Sequence, residues 1–237
     1  MKMPKISQAV LLAAGLLLCS APAAYAVDGV VLIDQARALA GNVTPGDAPG
    51  FPVTITRPGS YKLSGNLTAP QDSDGIVIAA DDVSLDFNGF TLTASGPGSG
   101  RFGIFDGFAA HTRLSIRNGA ITSFAGDVFV FDITSVDLRD MRIQNDGPQS
   151  NVVLAGTGSI LINNIIEGGN FGLVAGVNSV ISGNVVRGAK TVGITAFCPS
   201  TVTGNTVESN DRGLDFAGDR TRCAIVNNSV LSSTGGN

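Results

Sequence analysis

Leu161-Ile162-Asn163-Asn164-Ile165-Ile166, Ile181-Ser182-Gly183-Asn184-Val185-Val186, Val202-Thr203-Gly204-Asn205-Thr206-Val207 and Ile225-Val226-Asn227-Asn228-Ser229-Val230 are one phrase written four times. Its Asn falls at 164, 184, 205 and 228, in steps of 20, 21 and 23. A period of that length, rich in Gly, Asn and β-branched residues, marks a solenoid built from short strands. Weaker copies stand upstream at Leu63-Ser64-Gly65-Asn66, Phe87-Asn88-Gly89-Phe90, Ile116-Arg117-Asn118-Gly119 and Leu138-Arg139-Asp140-Met141. A second series of short strands has its first apolar residues at 76, 104, 128, 152, 173, 194 and 214. Gly and Asn between strands supply the positive φ that sharp corners need. Together these features predict an all-β parallel solenoid of about seven or eight coils.

Residues 1–26 read as a secretory signal: Lys2 and Lys5, an apolar run from Ile6 to Cys19, then Ala24-Tyr25-Ala26 as a small-x-small cleavage site. The expected location is therefore periplasmic or extracellular. No later segment is long and apolar enough to span a membrane as a helix. Residues 27–50 differ from the rest. Val31 to Ala40 reads as a short helix, stopped by Gly41-Asn42 and followed by Pro45, Gly46, Pro49 and Gly50. It is expected to cap the first coil through Val31, Leu32, Ala36 and Leu39. The solenoid is then assigned to residues 51–231, and 232–237 to a flexible tail.

The run Ile55-Thr56-Arg57-Pro58-Gly59-Ser60-Tyr61-Lys62-Leu63-Ser64-Gly65-Asn66-Leu67, followed by Gly75-Ile76-Val77-Ile78 and Asp81 to Leu92, resembles the opening coils of secreted bacterial right-handed parallel β-helix proteins. Those are similar to the pectate-lyase-like superfamily. The resemblance implies the fold over about residues 51–230 and a bias toward polysaccharide, because the superfamily mixes enzymes with non-enzymatic surface proteins. Right-handed winding is also what the rule for parallel crossovers predicts.

The chain carries 15 Lys and Arg against 19 Asp and Glu, a net charge of −4, which becomes −6 without Lys2 and Lys5. That balance disfavours nucleic acid as a partner. Asn164, Asn184, Asn205 and Asn228 are expected to point inward and bond from coil to coil as scaffold. If Leu85 and Phe87, Leu114 and Ile116, and Val136 and Leu138 face the core, then Asp86, Ser115 and Asp137 form one outward row. Asn88, Arg117 and Arg139 form a second. Asp86 and Asp137 would be catalytic candidates, about 9–10 Å apart across two coils. Ser115, Asn88, Arg117 and Arg139 would be the binding residues beside them. The competing reading is a ladder of exposed ion pairs, each worth little.

His111, the one histidine, reads as a turn residue, and so does the pair Asp81-Asp82. No metal-ligand spacing appears and no cofactor is expected; Asp211, Asp215 and Asp219 could serve Ca²⁺ but lie in no recognisable ligand loop. Cys198 and Cys223 sit in successive coils. A disulfide and two free thiols both stand, because an offset of two extended residues plus one coil separates the Cα atoms by ~8 Å. Val77, Phe105, Phe129, Val153 and Val174 are expected outward as an apolar stripe, a surface for a homo-oligomer or another partner. Function is accordingly read as a non-catalytic module that binds a glycan or a surface protein. The alternatives are a lyase or inverting hydrolase on an acidic polysaccharide, working through the charged rows, and a structural assembly subunit.

Overall fold

The computed structural model describes residues 29–96, 100–145 and 151–231; the expected signal segment and tail lie outside them. The chain is an all-β parallel solenoid of about seven turns. Three strips of parallel strands run along its length. Face A stacks Val30–Ile33, Gly59–Leu63, Val83–Asp86, the first halves of His111–Thr122 and Ile133–Asn145, then Ile160–Ile162, Val180–Ser182, Thr201–Thr203 and Ala224–Val226. Face B stacks Leu67–Ala69, Thr91–Ala94, the second halves of the same two long strands, then Ile165–Gly168, Val185–Arg187, Thr206–Glu208 and Ser229–Leu231. Face C, a separate sheet, stacks Val53–Ile55, Ile76–Ile78, Gly100–Phe105, Phe124–Val130, Asn151–Ala155, Phe171–Ala175, Val192–Phe197 and Arg212–Ala217.

Alternation along each strand sends every second side chain inward, and the register stacks like on like. Leu85, Ile116, Leu138, Leu161, Ile181 and Val202 form the buried column of face A. Leu92, Ile121, Ile143, Ile166, Val186 and Val207 form that of face B. Ile76, Ile104, Val128, Val153, Leu173 and Ile194 form that of face C. One continuous core therefore runs the length of the stack.

The corner from face A to face B repeats most closely. From the second corner onward a residue adopts positive φ there: Asn88, Asn118, Asp140, Asn163, Gly183, Gly204 and Asn227, with φ from 53° to 66°. Asn, Asp and Gly hold that conformation at least cost. In the later coils the next residue is the repeated Asn. Asn164, Asn184 and Asn205 are buried, and Asn228 is half-buried in the last coil. Each Nδ2 donates to the backbone of the preceding coil: Asn164 to Leu138 O, Asn184 to Leu161 O, Asn205 to Ile181 O and Asn228 to Val202 O. Each Oδ1 accepts the corner N–H of the preceding coil, from Met141, Asn164, Asn184 and Asn205 at 2.9 to 3.1 Å. The amides also bond to one another. A second ladder, not foreseen, lies where face C turns into face A. Ser159 and Ser179 donate their N–H to the hydroxyls of Ser179 and Ser200, and each hydroxyl donates to a carbonyl of its own turn.

The N-terminal end departs from the expected helix. Val30–Ile33 is a strand that pairs with Gly59–Leu63, so face A begins before residue 51. The helix is only Gln35–Ala40, capped by Asp34, whose Oδ1 accepts the Arg37 N–H. Leu32 and Leu39 are 47% and 55% exposed, Ala36 is exposed, and Ile33 and Ala38 are the buried residues. The physical reason is the open edge of Gly59–Leu63, which offers Val31 a place beside Tyr61 that a helix could not use. Polar side chains of this segment meet the strands of the next coil. The Gln35 amide donates to Thr68 O and accepts from Thr68 N–H, imitating a strand at the edge of face B. At the edge of face C the Thr44 hydroxyl donates to Thr54 O, and Asp47 Oδ1 accepts the Thr54 N–H.

Two outcomes are expected. Asn184→Ala leaves buried backbone groups of two coils unpaired and should cost about 1–3 kcal/mol by denaturant unfolding. Gln35→Ala with Asp47→Ala should open two N-terminal edges and cause concentration-dependent association visible in sedimentation, while Leu39→Ser should not.

Candidate functional site

The charged rows assemble on face A in a register different from the one expected. Asp86 lies opposite Arg117, and Arg117 opposite Arg139; Lys62 continues the row toward the N-terminus. Ser84, Ser115 and Asp137 form the neighbouring row. Asp86 and Asp137 thus stand in different rows as well as two coils apart. Asn88 is in neither, because it is the positive-φ corner residue. The shift originates at Phe87. Its ring is buried, but it enters the core from the corner, where its N–H donates to Arg117 O. Gly119 makes the room: a Cβ there would sit 2.2 Å from that of Phe87.

Both carboxylates are engaged locally. Asp86 Oδ1 accepts the Asn88 N–H at 2.8 Å and the Asn118 amide at 3.2 Å, while Oδ2 takes the Arg117 guanidinium at 3.3 Å. Partial burial disfavours its charged form, but the Asn88 and Asn118 donors and Arg117 outweigh this and hold the pKa below the ordinary value. That is the opposite of what a general acid needs. Asp137 pairs with Arg139 two residues along its own strand. Face B carries an unforeseen counterpart, Arg142, Glu167, Arg187 and Glu208, in alternating ion pairs. Such ladders organise a surface and neutralise it.

The remaining candidates are structural in their surroundings. Asp81 accepts the Thr112 N–H and lies 3.7 Å from His111, and Asp82 forks with Arg113, so the pair ties one turn to the next coil. Asp219 caps the 3₁₀ turn Arg220–Arg222 through Thr221, and Asp215 faces Arg212 at 3.6 Å. Among the described residues no three His, Cys, Asp or Glu side chains converge as metal ligands. Cys198 and Cys223 form a disulfide with Cα atoms 5.2 Å apart, closer than extended geometry suggested. The chain is not extended on either side: Ser200 Oγ folds back onto Phe197 O, and the 3₁₀ turn immediately precedes Cys223.

Among the described residues, face C carries a cluster of aromatic rings in which Phe105 is buried, Phe102 and Phe129 are half-buried and Phe108 is exposed. Its outward row is Thr54, Val77, Phe105, Phe129, Leu154, Val174, Thr195 and Asp215. Val153 belongs to the core instead, and Leu154 takes its expected place. Phe105 and Phe129 do not stand alone. Phe102 reaches both, with ring centroids 4.8 Å away, and Phe108 packs edge-on against Phe105 at 4.8 Å and Phe129 at 5.8 Å. Phe108 is nonetheless 67% exposed, and Phe131, in the turn after Phe129, is 45% exposed.

A buried carboxylate presents these two rings. Asp106 Oδ1 accepts the Phe108 N–H at 3.0 Å, and its Oδ2 accepts the Asp132 N–H of the next coil at 2.9 Å. Phe108 is held at φ 55°, a conformation a bulky residue adopts only when its surroundings impose it. Burial is the main influence on Asp106 and raises its pKa despite the two N–H donors. Sequence reasoning found Phe105 and Phe129 by alternation but missed Phe102, Phe108, Phe131 and Asp106. The available signal was the paired spacing Phe105-Asp106-Gly107-Phe108 and Phe129-Val130-Phe131-Asp132.

The two carboxylates should therefore oppose each other in pH dependence. The depressed Asp86 contributes stability above the ordinary carboxylate pKa, lost as pH falls through its folded value. The raised Asp106 contributes in the other sense: its share of stability falls as pH rises from the ordinary value through its folded one. Carboxyl titration by NMR should place Asp86 below and Asp106 above the ordinary range. Thermal midpoints of Asp86→Asn and Asp106→Asn should lose the matching pH slopes.

With the geometry of the site in view, comparison with known proteins adds no assignment: no family model, no curated protein and no solved structure matches this chain.

Proposed function

We propose that this chain is a non-catalytic binding module of an exported protein and that it engages the surface of another protein through the aromatic patch of face C. The observation that carries the reading is the pair Phe108 and Phe131, kept in solvent by a buried carboxylate that serves both turns. Burying exposed rings of this kind is a main source of interface affinity. The exposed Phe108 ring packs edge-on against Phe105 and Phe129 instead of lying flat, which suits protein contact better than sugar stacking. The face A carboxylates, each already matched by an arginine, give no support to acid–base chemistry. Export is favoured by the Lys-flanked apolar N-terminus and by the disulfide, a bond that persists in oxidising compartments. The pectate-lyase-like resemblance fits a surface module of this architecture.

The test is retention of the protein on immobilised cell-surface proteins and on a panel of polysaccharides, with cleavage of each polysaccharide monitored. Phe108→Ser with Phe131→Ser should abolish retention on protein, while Asp86→Ala with Arg117→Ala should leave it intact. Polysaccharide cleavage that disappears with Asp86→Ala would overturn the reading in favour of an enzyme.

A further inference from the structure

The charges around the aromatic patch are unevenly matched. On the turns beside it Arg101 lies 3.9 Å from Asp74, His111 lies 3.7 Å from Asp81, and Arg113 forks with Asp82. Two carboxylates there, Asp106 and Asp132, meet no cation among the described residues. Asp106 is buried and spends its oxygens on the N–H groups of Phe108 and Asp132, at 3.0 and 2.9 Å. Asp132 is exposed and directly follows the exposed Phe131. Because one carboxylate holds both N–H groups, the backbones of Phe108 and Asp132 lie side by side across neighbouring coils. The Asp132 charge is close enough to work against ionisation of Asp106. The patch is therefore a group of rings with an unmatched negative charge at its rim.

We infer that the protein docked on face C offers a basic side chain, arginine or lysine, which lies against the Phe108 ring with its charge at Asp132. The inference rests on the reading of the patch as a protein-binding surface and names what that surface selects. The face of a phenylalanine ring carries partial negative charge and attracts a cation within about 6 Å of its centre. The stem of a basic side chain is apolar and packs on rings while its head reaches a carboxylate. Phe108, 67% exposed, and Phe131, 45% exposed, supply the apolar contact, and Asp132 supplies the charge. An acidic side chain would instead meet Asp132, rings that donate no hydrogen bond, and a chain of net charge −4. A purely apolar segment would take water from Asp132 and give it no partner in return. Arginine suits the site best, because its planar head stacks on rings and forks with carboxylates.

The test is an NMR titration of the whole chain with end-capped tetrapeptides, each of three leucines plus one arginine, citrulline or glutamate. The arginine peptide should shift the signals of Phe108, Phe131 and Asp132 saturably. The citrulline and glutamate peptides should bind about tenfold more weakly or not at all. Asp132→Asn keeps the backbone N–H that Asp106 accepts, and circular dichroism should show it folded. It should weaken binding of the arginine peptide about tenfold and flatten its dependence on salt. Equal binding of the arginine and citrulline peptides, or an Asp132→Asn variant that binds like wild type, would overturn the inference. If Phe108→Ser abolishes that charge-blind binding, the reading of the patch survives. Binding of no peptide at Phe108 overturns the inference too, and retention of the Phe108→Ser, Phe131→Ser variant then decides the patch reading by itself.

Discussion

A single corner governs this molecule. Where face A turns into face B, the chain from Asn88 onward turns through positive φ, and in the later coils the following Asn inserts its amide between the backbones of neighbouring coils. An unpaired buried N–H or C=O costs as much as a lost hydrogen bond, so the corner must be satisfied every time the chain passes. The Asn side chain does this with one acceptor and two donors, all of them used within the ladder. That fixes how far one coil lies from the next and which residues face each other on faces A and B. The apolar columns follow from the register and not the reverse, because Leu, Ile and Val interchange freely along them.

The placement of the surface features follows from where this regularity ends. Positive-φ corner residues fall at 163, 183, 204 and 227, but upstream at 88, 118 and 140. In the first coils Gly119 and Met141 occupy the place of the ladder Asn, and the Phe87 ring fills the space that opens. Between corners 88 and 118 the chain spends part of its extra residues on the turn that carries Asp106 and Phe108. Cross-strand ion pairs occur along the whole stack, but the aromatic rings are displayed by the irregular coils. The early-coil carboxylate Asp86 clamps a corner, sharing its oxygens among Asn88, Asn118 and Arg117.

How much of this the sequence revealed depended on whether alternation carried information at each place. The ladder Asn and the face A columns were legible because the phrase repeats with a polar residue at its centre. Alternation failed at Val152-Val153-Leu154, three apolar residues in a row, and put Val153 outside when Leu154 is there. At Phe87 it ran past the strand into the corner and displaced Asp86 and Asn88 by two positions relative to Arg117. Over residues 31–40 a short apolar run could not distinguish helix from strand, and tertiary pairing with Gly59–Leu63 decided it. The disulfide was left open since the fold-back at Ser200 has no sequence period. Strand alternation says nothing of the exposed rings of Phe108 and Phe131 for a related reason: they sit in turns, held by a carboxylate whose partners come from two coils.

The most direct measurement of the central claim is native-state hydrogen exchange, resolved by residue. If the corner amides fix the stack, the backbone N–H groups of Met141, Asn164 and Asn184 exchange only through global unfolding, as slowly as those of the mid-strand core. The Asn205 N–H, which relies on the half-buried Asn228, exchanges faster. Corner amides that exchange at the rate of exposed turns while the strands stay protected would contradict the account, and would mean that the apolar columns alone set the register.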